Sequence, residues 1–149
     1  MTRQALLLVH LLGACAWIGG MFFAHFCLRP AAAEALAPAQ RLPLWTATLA
    51  RFLRYTAVAV VALLASGFAL LLDRGFRDAP PGWHAMLALG LVMSAVFAYV
   101  WLALYPRLRT RCAAAQWPDA ADALGRIRRL VTLNLALGVC VIAAAVSAR

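Results

Sequence analysis

The chain has 149 residues, of which 66% are hydrophobic and 13% charged, and it carries a formal net charge of +9. So much apolar surface cannot be enclosed in one soluble core of this size, which excludes a soluble globular domain and points to a lipid bilayer. Ten of the fourteen arginines fall in two loops and there is no lysine, so topology and contact with anionic lipid account for the charge, and nucleic acid is not expected as a partner.

Four windows free of charged residues mark the crossings: residues 4–28, 55–72, 79–106 and 130–148. Each approaches or exceeds the roughly 20 residues that a hydrocarbon core requires. They predict an all-α polytopic protein in one domain, residues 1–149, with helices over about 4–28, 53–72, 82–106 and 124–148. Short connections make the four an antiparallel bundle. Barrel strands are excluded, because the windows are too long and do not alternate.

The first window opens after "MTRQ". It is longer than a signal-peptide core and has no A-x-A cleavage signature, so it is expected to remain in the protein. The connection from Arg29 to Arg54 carries four arginines against Glu34, and that from Arg107 to Arg129 carries six against Asp119 and Asp122. In "DRGFRDAPPGWH" Arg74 and Arg77 are balanced by Asp73 and Asp78. The positive-inside rule therefore puts both termini outside and the two basic loops in the cytoplasm, with Arg29 among the residues that orient the bundle.

In the first basic loop, Pro30, Pro38 and Pro43 predict a broken, membrane-surface segment that feeds helix two. The second, "WPDAADALGRIRRLV", predicts a cytoplasmic extension of helix four with Asp119 as its N-cap. Trp83 is expected at the outer interface. Small-residue rows at Ala16, Gly20 and Ala24, at Ala65 and Ala69, and at Gly90 and Ser94 predict close helix packing.

Ionisable and polar residues stand out within the spans. At 1.5 Å per residue His10 lies roughly 9 Å below the outer boundary, and His84 lies within about a turn of the same boundary. His10 and His84 are thus a candidate outer site for a metal or a haem. His25 falls about 22 Å further along helix one, level with Asn134, the chain's one asparagine. His25 and Asn134 form a second candidate polar site. Trp17 and Met21 share His10's azimuth to within about 20°, so that stripe predicts the inward face of helix one.

Neutral imidazoles suit copper, and thioethers and thiolates suit its reduced form. Cys15 lies about 140° from His10 on the helix, and Met86 and Met93 lie roughly opposite His84. The methionines therefore predict core packing, and spacing alone does not complete a copper shell. A b-type haem between His10 and His84 is the alternative. Cysteines at 15, 27, 112 and 140 show no C-x-x-C spacing and read as free thiols. With no acidic residue inside any span, no glycine-rich nucleotide loop and no Ser-His-Asp arrangement, no catalytic residue is expected; an enzymatic role would be that of a haem-dependent oxidoreductase.

The segments "HLLGACAWIGGMFFAHFCLRPAA", "RLPLW", "RFLRY", "GWHAMLALGLVM" and "RIRRLVTLNLALG" resemble the copper-resistance protein D (CopD) family of bacterial inner-membrane proteins. The resemblance implies copper homeostasis, with His10 as first ligand and Trp17, Gly19 and Gly20 as packing residues of the motif. It further implies a multi-pass protein of the bacterial inner membrane, served by a periplasmic copper-binding protein. A homodimer would widen the thin conduit that four helices offer. The seven-residue spacing from His10 to Trp17 is also similar to that in the haem-binding oxidase HemJ, which carries the haem alternative.

Overall fold

The computed structural model describes residues 2–147. These form four helices, each long and apolar enough to cross a membrane: α1 (Arg3–Ala35), α2 (Pro38–Arg74), α3 (Pro81–Ala113) and α4 (Trp117–Ser147). Among the described residues there is no strand. The expected end of the fourth helix, Ala148, lies outside them. The chain is a multi-pass membrane protein.

α1 packs along α2 and α3 along α4, and α4 also touches α1. The outward faces are apolar: on α1, Leu8, Leu11, Leu12, Phe22, Phe23 and Phe26 are all exposed. The residues that turn inward at helical spacing are Gly13, Trp17 and Met21, as the His10 stripe predicted. Lipid on one side and protein on the other both accept apolar groups, so hydropathy finds the helices more readily than their rotations.

The helices outrun the bilayer. α2 has 37 residues, which at 1.5 Å each makes about 55 Å against a hydrocarbon core of about 30 Å. The excess lies at the arginine-rich end, where α1 and α2 meet and where α3 turns into α4. The expectation of a broken surface segment between helices one and two is corrected: α2 runs unbroken from Pro38. Pro38 occupies the first turn, where its missing N–H has no intrahelical acceptor to lose. Pro43 sits barely a turn further on and forfeits one bond without ending the helix.

Pro30 and Pro106 are accommodated by a shared device. Each is preceded by a π-helical turn, Ala24–Leu28 in α1 and Val100–Leu104 in α3. Each turn closes with a five-residue hydrogen bond, from Arg29 N to Ala24 O and from Tyr105 N to Val100 O. A proline ring presses on the carbonyl four residues back, and a widened turn relieves that clash at the expense of local regularity.

The bundle is unevenly packed. Its most deeply buried side chains, Leu104, Leu108, Ala120 and Ile127, lie toward the arginine-rich end. There Trp45, Leu49 and Leu53 of α2 fill the space between α3 and α4. The turn that closes this end is a Schellman motif: Gln116 N donates to Arg111 O at 3.0 Å and Ala115 N to Cys112 O at 3.1 Å. Ala115 takes the left-handed position at φ 53°, which glycine usually fills. Arg111 braces the turn through Gln116 and Asp119.

The expected small-residue rows are only partly where the helices meet. Ala16 and Ala65 face outward, and a Cβ at Gly90 would meet nothing within 4 Å. Gly20 does pack closely, against the Phe52 ring, whereas Gly19 stands in open space. The tightest backbone approach is at Gly13, where a Cβ would come within 3.2 Å of the Ala59 carbonyl oxygen.

A histidine-lined cavity away from the arginine-rich end

Away from the arginine-rich end the helices splay around a cavity of about 320 Å³. All four contribute to its wall. His10 and Trp17 come from α1, Gly67 from α2, Met86, Met93 and Ser94 from α3, and Val141 from α4. Most of the wall is hydrocarbon, which makes the few donor atoms in it conspicuous.

His10 is half-buried and anchored from α2. Its Nδ1 lies 3.0 Å from Ser66 Oγ. The serine hydroxyl has one proton, and its shortest contact is with the Ala62 carbonyl at 2.6 Å, one turn back in α2. With that proton given to Ala62, Ser66 Oγ can only accept from the imidazole. The network therefore assigns the proton to His10 Nδ1 and leaves the Nε2 lone pair free on a side chain that lines the cavity. Hydroxyl back-bonding of this kind is a usual way to satisfy serine in an apolar helix.

Gly67, the next residue of α2, provides the room. A Cβ there would stand 3.1 Å from His10 Cε1 and 3.6 Å from Nδ1. Ser66 holds the ring and Gly67 lets it approach. Neither residue was singled out by sequence reading; the faint signal was a serine and glycine side by side in an otherwise apolar span.

Trp17 stands at the end of the cavity nearer Asn134. It is edge-on to Phe97, ring centroids 6.0 Å apart, and also borders a void of about 20 Å³ beside Asn134. Met93 is almost wholly buried and lines the cavity together with Met86. The reading of these methionines as core packing holds for Met93, which belongs to the buried core, and is extended by the place of both on the cavity wall. Each packs, and each also puts a thioether-bearing side chain on the cavity wall.

His84 is elsewhere. Its Nε2 donates to the Phe76 carbonyl at 2.9 Å, and its ring stands edge-on to Phe76 at 4.8 Å. It ties the loop between α2 and α3 to the start of α3 and is not among the residues that line the cavity. The structure thus gives His10 and His84 separate hydrogen-bonding partners. Trp83 lines the cavity. His10 is the one histidine on that wall, so no bis-histidine pair for a haem is assembled there.

The pairing of His25 with Asn134 is corrected as well. His25 Nδ1 is 3.3 Å from Thr132 Oγ1, which itself donates to the Arg128 carbonyl. Asn134 instead donates from Nδ2 to the Met93 carbonyl at 3.1 Å, and its Oδ1 is buried without a partner. Residues 132 and 134 lie about 200° apart on a helix, so one faces α1 while the other faces α3. His25 also sits within the π-helical turn, which breaks the 100° arithmetic that placed it.

Among the described residues there is no group of three or more His, Cys, Asp or Glu side chains that could hold a metal ion. All four cysteines are free thiols. None of them lines the cavity, so a soft-donor shell around His10 would draw on methionine.

A family model described as copper resistance protein D matches residues 46–148. The matched segment contains α3, α4 and most of α2, hence Ser66, Gly67, Trp83, Met86, Met93 and Ser94. α1, with His10 and Trp17, lies outside it. No curated protein and no solved structure matches the chain.

Proposed function

The chain belongs to the copper resistance protein D family, and from that premise we propose that it binds copper in the outer cavity and passes it across the bacterial inner membrane. His10 Nε2 is the first ligand, and the thioethers of Met86 and Met93 complete a soft site suited to Cu(I). The observation that carries this reading is the Ser66 hydroxyl on His10 Nδ1. A metal-binding imidazole almost always donates its other N–H to a nearby acceptor, and Ser66 Oγ offers one to His10 Nδ1.

In this reading both termini and the mouth of the cavity face the periplasm, and the arginine-rich end faces the cytoplasm. Copper arrives from a periplasmic copper-binding protein. Trp17 and Phe97 stand between the cavity and the void beside Asn134, so onward passage requires Trp17 to move. His84 belongs to the support of the cavity's rim and not to the ligand set.

The deciding experiment is a Cu(I) competition titration with a chelator on detergent-purified protein, run beside copper uptake in cells. Wild type should hold copper, and His10→Ala should lose both binding and uptake. If His10→Ala binds copper as tightly as wild type and supports the same uptake, the assignment is wrong. Met86→Leu and Met93→Leu should each weaken binding while leaving the fold intact, because Leu and Met are close in volume.

A further inference from the structure

We propose that the arginine-rich end binds the phosphate of one anionic phospholipid between Arg29 of α1, Arg41 of α2 and Arg128 of α4. Arg128 is the centre of the site. Its guanidinium carbon lies 5.1 Å from the centroid of the Trp45 ring, and this stacking holds the group in place. Two donors at this contact are buried without an acceptor: Arg128 Nε and Trp45 Nε1. Trp45 is 95% buried, with 5% of its surface exposed, and no protein oxygen answers its N–H. Both atoms are enclosed by protein, so a ligand meets Arg128 at the part of its side chain that remains accessible.

The surrounding charge is of one sign. Arg29 and Arg41 stand near enough for their positive charges to act on Arg128. Among the described residues the one salt bridge is Arg111 with Asp119, in the turn between α3 and α4. Among the described residues no carboxylate lies within salt-bridge distance of Arg29, Arg41 or Arg128. Arg51 and Arg54 differ, since each folds back onto a carbonyl of α2. His25, one turn before Arg29, meets Thr132, which bonds the Arg128 carbonyl, and Trp45 under Arg128 is one turn after Arg41. Three neighbouring cations suit a phosphate oxyanion, which accepts several guanidinium hydrogen bonds at once.

Position selects a lipid over free phosphate. One turn toward the membrane from Arg29 lie His25 and Phe26, and Phe22 stacks on Phe26 with centroids 4.9 Å apart. Phe22, Phe23 and Phe26 are all exposed. A headgroup among the arginines would lay its acyl chains along this aromatic face.

Native mass spectrometry of the full chain tests the proposal, with phosphatidylglycerol, phosphatidylcholine or inorganic phosphate added in separate arms. One phosphatidylglycerol should stay bound under activation that strips phosphatidylcholine. Its retention should fall by about tenfold or more in Arg128→Gln and in the double variant Arg29→Gln with Arg41→Gln. The double variant changes side chains outside the core, so the test does not depend on Arg128→Gln folding. Arg126→Gln with Arg129→Gln, which removes two exposed charges from the same stretch of α4, should retain the lipid as wild type does. Equal retention of the two lipids would overturn the proposal. So would an equal loss in the Arg126 and Arg129 variant, which would mean diffuse charge attraction. Binding of inorganic phosphate that displaces phosphatidylglycerol would overturn the lipid assignment.

Discussion

Ser66 and His10, 56 positions apart in sequence, are joined by a 3.0 Å hydrogen bond whose direction is fixed by the serine's own 2.6 Å bond to Ala62. Removing the hydroxyl should therefore harm the imidazole without touching the cavity wall. In Ser66→Ala the Nδ1 proton loses its side-chain acceptor, at a stability cost of about 1–3 kcal/mol. The ring is then free to rotate and to change tautomer, and Cu(I) affinity should fall by about tenfold or more. A chelator titration with a parallel thermal melt checks both outcomes.

Gly67→Ala acts on the same ring by crowding. The new Cβ meets His10 Cε1 at 3.1 Å, so the imidazole must shift. Alanine also favours a helix interior over glycine by roughly 1 kcal/mol. The expected signature is weaker copper binding with little loss of stability. Gly90→Ala, also on the cavity wall but with nothing within 4 Å of the added carbon, should leave binding unchanged.

Replacing His84 separates its loop role from a ligand role. His84→Ala removes the bond to the Phe76 carbonyl and should lower stability by about 1 kcal/mol. Copper affinity should match wild type. A loss of copper comparable with that in His10→Ala would restore the two histidines to one site.

Asn134 tests how half-satisfied polarity behaves inside the bundle. It is 4% exposed, with Nδ2 on Met93 O and Oδ1 unpaired. Asn134→Leu deletes both groups and should change stability by less than about 1.5 kcal/mol in either direction. Asn134→Asp buries a charge in the same place and should cost several kcal/mol. Unfolding in detergent, followed by helical circular dichroism, would compare the two.

Ala115 is the one non-glycine residue with positive φ among the described residues. It occupies the glycine position of the Schellman turn, where an L side chain costs roughly 1–2 kcal/mol. Ala115→Gly should raise stability by about 1 kcal/mol without altering copper or lipid binding. No gain in the melting temperature would argue against this turn geometry.

Much of the site lay hidden in the sequence for a specific reason. His10, Trp17 and Met21 were legible as an inward stripe because they share one helix, where 100° per residue is reliable. Their partners Ser66, Gly67, Met86 and Met93 are on other helices, and each helix's rotation about its axis is a separate unknown. In a soluble bundle the polar face would supply it. Here the exposed Leu8, Leu12 and Phe22 are as apolar as the core. The same uncertainty misassigned His25, since Thr132 and Asn134 are neighbours in sequence yet face different helices.

Length and composition alone determined that the chain crosses a membrane four times as helix, because only a run of about 20 apolar residues with internally satisfied backbone is stable in hydrocarbon. Arginine clustering alone marked one end of the bundle as different from the other. The tertiary structure decided what the histidines do. It seated His10 on Ser66 at the edge of a cavity, gave His84 to a loop carbonyl and turned His25 toward Thr132. It also carried α2 through Pro38 and Pro43 and opened π-helical turns before Pro30 and Pro106. The histidine outcomes depend on where one helix meets another, and a cross-helix hydrogen bond leaves no periodic trace in either stretch of sequence that makes it.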